Sequence, residues 1–250
     1  MIVAIAVLLA GSLSAQTPEA PASAAPPDSS LWTTTETVVA LGTVAGTLAW
    51  MPFDQDANSW ASSHHSPASR GWAAGAKALG DGYITLPVSG ALWLVGAKCE
   101  MPRLARASKN ALESWLLTEV LVTGAKYGFH RSRPSESGSN QEWGGPGFSS
   151  SHLSFPSGHS ASAWGLLPAY ALEFSDQPWV VGGVYLAAAS TSLSRVHDGQ
   201  HWMSDVFFSA GTGYLVNRLV RSWNLQRSGS VAVMPLVAPG IQGVSLVSRF

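Results

Sequence analysis

Apolar residues gather in runs that are too long for strands and are separated by short polar or Gly/Pro breaks. Residues 31–50 form a weakly polar run with one charge, Glu36. Residues 54–79 carry apolar positions at mixed spacing and read as one amphipathic helix or two short ones. Residues 83–97 are apolar; residues 112–125 are apolar but include Glu113 and Glu119. Residues 159–174, 179–193 and 202–223 complete the set. The pattern predicts an all-α fold, an antiparallel bundle of about six helices within residues 31–227. No internal repeat is visible. Residues 131–156 are rich in Ser and Gly, lack periodicity and are long for a loop; loops of that length inside a compact domain are usually functional or disordered. After Arg227 the pattern changes. Residues 231–237 and 244–250 flank Pro239-Gly240 and predict a β-hairpin within a C-terminal extension, residues 228–250.

The first residues read as an export signal. Residues 2–10 are apolar, and Gly11, Ser12, Ser14 and Ala15 follow, which predicts a signal peptide over residues 1–15 cleaved after Ala15. No Lys or Arg precedes the run, and the run is too short to cross a bilayer alone. Residues 16–30, rich in Pro, Ala and Ser, read as a flexible leader.

Composition narrows the classes. Of 250 residues 46% are hydrophobic and 12% charged, about half the usual charge content, which excludes a disordered chain and a coiled coil. Fourteen Lys and Arg against fifteen Asp and Glu give a net charge of −1, so no global field draws in nucleic acid. Any anion must be held by a local cluster of bases. Cys99 is the single cysteine, which excludes an internal disulfide and a Cys-rich zinc site. Eleven Trp favour an amphipathic boundary such as a membrane interface.

Three motifs carry the candidate chemistry. Lys126 is followed after six residues by Arg133-Pro134. Pro156-Ser157-Gly158-His159 opens a predicted helix. Ser194-Arg195 is followed after five residues by His201, and after three more by Asp205. In this order and spacing they resemble the tripartite signature of the type 2 phosphatidic acid phosphatase and vanadium haloperoxidase superfamily, with no departure at the signature positions.

The residue types also make sense by themselves. Lys126, Arg133 and Arg195 are three permanent cations in a chain with few; Arg presents a planar fork to phosphate oxygens and Lys a point charge. Ser157 and Gly158 precede a helix start, where outward backbone N–H groups favour an anion and Gly allows close approach. His201 and Asp205 are four apart and share a helix face. A carboxylate there can take the Nδ1 proton and leave Nε2 nucleophilic. The resemblance implies that His201 attacks phosphorus and forms a phosphohistidine, that Asp205 orients it, and that His159 protonates the leaving oxygen and then activates water. Lys126, Arg133, Ser157, Gly158 and Arg195 would hold the phosphate. It implies no metal cofactor, with vanadate as inhibitor, or as cofactor if the chain is a haloperoxidase.

Other readings compete. His197, His201 and Asp205 lie at i, i+4 and i+8 and would suit a metal if one helix carried them, but Asp198-Gly199 makes a poor first turn and the nearby cations repel a metal ion. His64, His65, His130 and His152 show no partner in sequence; His130 and His152, in or beside the long loop, are kept as substrate-contact candidates. In up-down order the motif-bearing helix ends fall at one end of the bundle. Lys98, Arg103, Arg106, Lys109, Arg218, Arg221 and Arg227 fall at the other, which the positive-inside rule assigns to the cytoplasm. A cleaved leader would start residues 31–50 on the outer side and put Lys98 on the wrong one, unless the leader is retained, residues 54–79 cross again, or the bundle does not span. Several apolar runs are only about 15 residues, short of the ~20 needed to span.

The expectation is a metal-independent phosphatase of phosphomonoesters, lipid phosphates foremost, in a bacterial envelope with its site facing the periplasm and the protein associated with the inner membrane. The alternatives are a vanadate-dependent haloperoxidase, a soluble periplasmic acid phosphatase, and a catalytically silent envelope protein. No nucleic-acid partner is expected, and the sequence fixes neither the ester nor the oligomeric state.

Overall fold

The computed structural model describes residues 30–227 and the strands Val231–Ala238 and Ile241–Ser248. The predicted signal peptide and almost all of the predicted leader lie outside the described residues.

Nine α-helices are present among them: α1 Thr34–Trp50, α2 Asp54–Ser63, α3 Pro67–Lys77, α4 Gly82–Lys98, α5 Pro102–Phe129, α6 Gly158–Leu166, α7 Pro168–Glu173, α8 Pro178–His197 and α9 Met203–Gln226. Local sequence sets most of the boundaries. Thr33 caps α1 in a capping box with Glu36, and Ser66 caps α3 with Pro67 at its first position. Residues 54–79 are therefore two short helices, the second of the two readings. Pro168 separates α6 from α7, because its ring cannot continue the ladder of the preceding turn. The run at 112–125 is the middle of a longer helix: α5 starts at Pro102 and ends where His130 turns left-handed at φ 45°. Arg103, Arg106 and Lys109 are thus helical.

Tertiary pairings fix the direction of each helix. Arg103 binds Asp176 and Arg106 binds Glu173, so the start of α5 meets the end of α7. Lys109 meets Asn224, and Arg218 meets Glu36, 2.7 Å away. At the opposite end Arg131, just past α5, reaches Asp54 of α2 and Asp205 of α9. The bundle therefore makes six antiparallel passes: α1, α4, α5, α6 with α7, α8 and α9. The short α2 and α3 do not make a pass; they lie against the motif-bearing end of α8, where His65 Nε2 contacts the His197 carbonyl and Thr191 donates to Ala76. Residue 31 consequently lies at the same end as Arg218 and Arg227, lining a groove with Trp223. The first pass therefore starts at the basic end, on the same side as Lys98.

The helices cross closely because small residues meet. A Cβ at Gly213 of α9 would fall 2.7 Å from the Gly165 nitrogen of α6, and one at Gly96 of α4 would fall 2.6 Å from the Ala105 nitrogen of α5. A buried cluster that includes Leu79, Leu104, Leu166, Tyr170, Phe174, Val180 and Val184 fills the middle. Around the outside, Val38, Leu41, Val44 and Leu48 of α1, Leu117, Val120 and Leu121 of α5, and Leu186 and Leu193 of α8 remain exposed. Among the described residues no single helix is long and apolar enough to cross a membrane; Pro67–Gly80 and Gly82–Lys98 reach that length and composition only when taken together, across a 54° bend.

The C-terminal hairpin is present, with a tighter connection than the hydrophobic runs suggested. Val231–Ala238 pairs antiparallel with Ile241–Ser248, and Ala238 faces Ile241. The second strand starts three residues before the run at 244.

Candidate active site

Two inter-helix connections converge at one end of the bundle. The first, residues 130–157, is an irregular loop pinned by an isolated bridge between Arg131 and Trp143. The second is the short turn from α8 to α9, where Gly199 adopts φ 63°. Their contents build the site.

Lys126, in the last turn of α5, donates from Nζ to the carbonyls of Leu153, 2.9 Å, and Pro156, 2.5 Å. It thereby holds the segment that precedes Ser157. Ser157 is the N-cap of α6; its hydroxyl oxygen accepts from the Ser160 N–H and its own N–H donates to Ser209 Oγ at 2.7 Å. Gly158 and His159 follow as the first residues of α6. A Cβ at Gly158 would meet only the Lys126 Cε, at 3.8 Å, so backbone approach there is open. Gly80 packs on the same helix start: a Cβ would sit 2.4 Å from the His159 carbonyl oxygen.

Arg133 and Arg195 enter from the two connections. Arg133 donates from Nη1 to Gln200 Oε1 at 2.8 Å, and Arg195 from Nη1 to Asp198 Oδ2 at 3.0 Å. Each keeps a buried Nε–H with no partner. A buried guanidinium donor without an acceptor is costly, and two of them beside a cationic Lys invite an anion.

Protonation reports the same crowding. His201 is buried, and burial, then Lys126, Arg133 and Arg195, hold its imidazolium well below 6.5. Burial and Arg195 push His159 down as well. Burial, with Arg133 next, brings Lys126 down to about 8. Arg195 is lowered by burial and by Arg133, against the pull of Asp198. The same neighbours recur in each shift, so Lys126, Arg133, His159, Arg195 and His201 lie near one another.

His201 is where the structure departs from the sequence reading. Its Nδ1 lies 2.7 Å from the Ser154 carbonyl oxygen and 3.9 Å from Asp205 Oδ2. A carbonyl can only accept, so Nδ1 carries the proton and Nε2 is left with a lone pair. Nε2 has no protein partner among the described residues. Asp205, fully buried, is engaged elsewhere. It accepts from Arg131 Nη1 at 2.5 Å, Ser154 Oγ at 2.5 Å and the Trp202 N–H at 2.9 Å. Burial raises its carboxyl, and Arg131 opposes that rise. The four-residue spacing does not put the pair in direct hydrogen bond because His201 precedes α9: the helix starts at Met203, with Trp202 as its cap.

Arg131, Asp54 and Ser154 had no part in the sequence reading. Arg131 is 1% exposed, donates to Asp54, Asp205, Ser204 and the Asn140 carbonyl, and lies between the rings of Trp143 and Trp202. A second arginine two positions before Arg133 was the only signal in the chain; Asp54 is 77 residues away and gave none.

The remaining histidines separate from the site or are occupied. His197 turns toward α3, with Nε2 on Ser69 Oγ, Nδ1 on Asp198 and its ring against His65. It does not join His201 and Asp205, and the described residues hold no group of three His, Cys, Asp or Glu able to bind a metal ion. Both ring nitrogens of His130 face carbonyls, of Gly145 and Ser149. His152 contacts Ser132 Oγ at 2.8 Å and Glu136 at 3.5 Å and is half exposed.

Residues 109–228 match the family model of the PAP2 superfamily. A stretch of 100 residues, 40% of this chain, is 35% identical to a lipid A 1-phosphatase of Porphyromonas gingivalis, and it spans 20% of that protein's length. The fold is similar to the crystal structure of a transmembrane PAP2-type phosphatidylglycerolphosphate phosphatase of Bacillus subtilis. Their TM-score is 0.63 at 21% identity, over 78% of this chain and 98% of that one. The stretch matched by the family model, just under half of the chain, takes in Lys126, Arg133, Ser157, Gly158, His159, Arg195, His201 and Asp205.

Proposed function

We propose that the protein is a phosphatase that hydrolyses phosphomonoesters of lipids through a covalent phosphohistidine. The observation that carries this reading is the pair of buried, unpartnered Nε–H donors on Arg133 and Arg195, beside Lys126 and the free Nε2 of His201. A tetrahedral oxyanion fits that set: several donors around the equatorial oxygens and one nucleophile in line.

In the first step His201 Nε2 attacks phosphorus, the P–N bond forms and the bond to the leaving oxygen breaks. His159 gives that oxygen a proton. In the second, His159 takes a proton from water, whose oxygen attacks phosphorus; the P–N bond breaks and phosphate leaves. Lys126, Arg133, Arg195, Ser157 and the Gly158 N–H hold the charge that grows on the equatorial oxygens. The cations do this work without a metal ion.

A lipid substrate at a membrane is supported by two things. The relative of P. gingivalis is named for a lipid phosphate. Apolar side chains of α1, α5 and α8 are exposed between the two ends of the bundle. The cage lies at the end opposite Lys98, Arg221 and Arg227, and cytoplasmic segments are enriched in such residues, so we place the cage on the outer side, the periplasm of a two-membrane bacterium.

The test is phosphate release by the purified chain in detergent, from lipid phosphates and a small aryl phosphate, with and without a chelator. Release that survives the chelator and is competitively inhibited by vanadate is expected. Release that disappears with the chelator and returns with zinc or magnesium would contradict it, as would no release from any phosphomonoester.

A further inference from the structure

In this geometry the carboxylate of Asp205 does not touch the ring it is expected to orient. Nδ1 to Oδ2 is 3.9 Å, outside hydrogen-bond range, and both carboxylate oxygens are already taken. Ser154 stands between the two. Its hydroxyl donates to Asp205 Oδ2 at 2.5 Å, its carbonyl accepts from His201 Nδ1 at 2.7 Å, and its N–H donates to the Arg131 carbonyl at 2.9 Å. All three polar groups of one fully buried serine are thus committed, two of them to the nucleophile and its carboxylate.

The carboxylate is itself clamped. Arg131 spends Nη1 on Asp205 and Nη2 on Asp54, both fully buried. Asp54 in turn accepts from the Ser204 N–H at 2.9 Å and the Ser204 hydroxyl at 2.6 Å, which ties α2 to the first turn of α9. Each carboxylate contact of Arg131 is a single charge-assisted bond, and the planar guanidinium fork fixes the two carboxylates relative to each other. On the other side, Lys126 holds the carbonyls of Leu153 and Pro156, which bracket Ser154. The Ser154 carbonyl has little freedom to move off Nδ1 while these contacts stand.

We propose that Ser154 is a positioning residue through which Asp205 acts on His201: the carboxylate anchors the serine hydroxyl, and the serine carbonyl fixes the tautomer and aim of the nucleophilic ring. This rests on the phosphohistidine reading above. When Nε2 bonds to phosphorus the ring gains positive charge, and the Nδ1–H bond to a fixed carbonyl strengthens without further rearrangement.

The experiment is a double-mutant cycle of Ser154→Ala and Asp205→Asn. It is read by the single-turnover rate of phosphoenzyme formation and by the inhibition constant of vanadate. A 1 Å misplacement of a reacting group can cost about a hundredfold. Ser154→Ala is expected to slow phosphoenzyme formation by about tenfold to a hundredfold. It should leave vanadate inhibition within about twofold, because the cage residues are untouched and the chain is folded. The double variant should be no slower than Asp205→Asn alone, since both remove one link. The proposal is overturned if Ser154→Ala forms phosphoenzyme at the wild-type rate, if the two losses multiply, or if its only effect is weakened vanadate binding with the chain destabilised. A wild-type chain that hydrolyses phosphomonoesters without any phosphoenzyme would overturn both this relay and the phosphohistidine reading; a normal wild type with an unimpaired Ser154→Ala overturns the relay alone.

Discussion

The lowered histidines set the chemistry at the residue scale. His201 loses its proton well below 6.5, so its Nε2 is available across mildly acidic and neutral pH. His159 is also lowered, by burial and Arg195, yet as general acid it must be protonated. Its protonated fraction grows as pH falls, so kcat/KM of the free enzyme toward alkyl phosphates should rise from neutral pH toward an optimum on the acid side of 6.5. His159→Ala should remove that rise. It should also cost about a hundredfold or more with alkyl phosphates and far less with activated aryl phosphates, whose leaving group needs little protonation. A pH–rate profile on both substrates checks this; equal loss on both would take His159 out of the acid role. Lys126 gives the alkaline counterpart. Brought down to about 8, it sheds its charge as pH rises through that value, so vanadate inhibition should weaken above about pH 8. Inhibition unchanged to pH 9.5 would contradict a Lys126 contact to the anion.

Helices and loops show how much of the architecture could be read from the chain. The apolar runs identify every pass of the bundle, because each is long and bounded by Pro, Gly or a capping residue. The spacings from Lys126 to Arg133 and from Arg195 to Asp205 were legible through their resemblance to a known signature; helix geometry alone does not fix them, since Arg133 lies four residues past α5 in the irregular loop. Ser154, Arg131 and Asp54 were not. Their roles depend on contacts across 51, 74 and 77 residues inside an irregular loop, where no periodicity constrains the partner. The Asp205–His201 contact was misjudged because the four-residue rule holds within a helix, and His201 lies outside α9. Close crossings make a prediction at this scale. Gly213→Ala would place a Cβ 2.7 Å from the Gly165 nitrogen and 2.8 Å from the Trp164 carbonyl carbon, both backbone atoms of the helix that carries His159. Overpacking of this kind costs about 1–3 kcal/mol. Thermal unfolding in detergent should show a clearly lowered midpoint; an unchanged midpoint would mean α6 and α9 are not packed this tightly.

Seen whole, the molecule has two chemically different ends joined by an apolar waist. Its basic end is largely neutralised: Arg103, Arg106, Lys109 and Arg218 each meet an acidic partner. Lys98, Arg221 and Arg227 complete the basic end, and the orientation follows the count of Lys and Arg there. Accessibility can decide it. Cys99 is exposed at the basic end, and Ser150 is exposed in the long loop at the cage end. In right-side-out membrane vesicles an impermeant maleimide should label a Ser150→Cys, Cys99→Ser chain and leave native Cys99 unlabelled. Labelling at both positions would indicate a chain that does not cross the bilayer; labelling at Cys99 alone would invert the orientation. Sidedness matters only if the cage performs the proposed reaction, and the nucleophile is the point at which that reaction stands or falls. The most direct measurement is a rapid acid quench of the protein with a phosphomonoester labelled in its phosphate, followed by protein isolation. The wild type should carry acid-labile, alkali-stable phosphate on His201, and His201→Ala should carry none and turn over no substrate. Phosphate retained on the alanine variant, or found on another residue, would contradict the account.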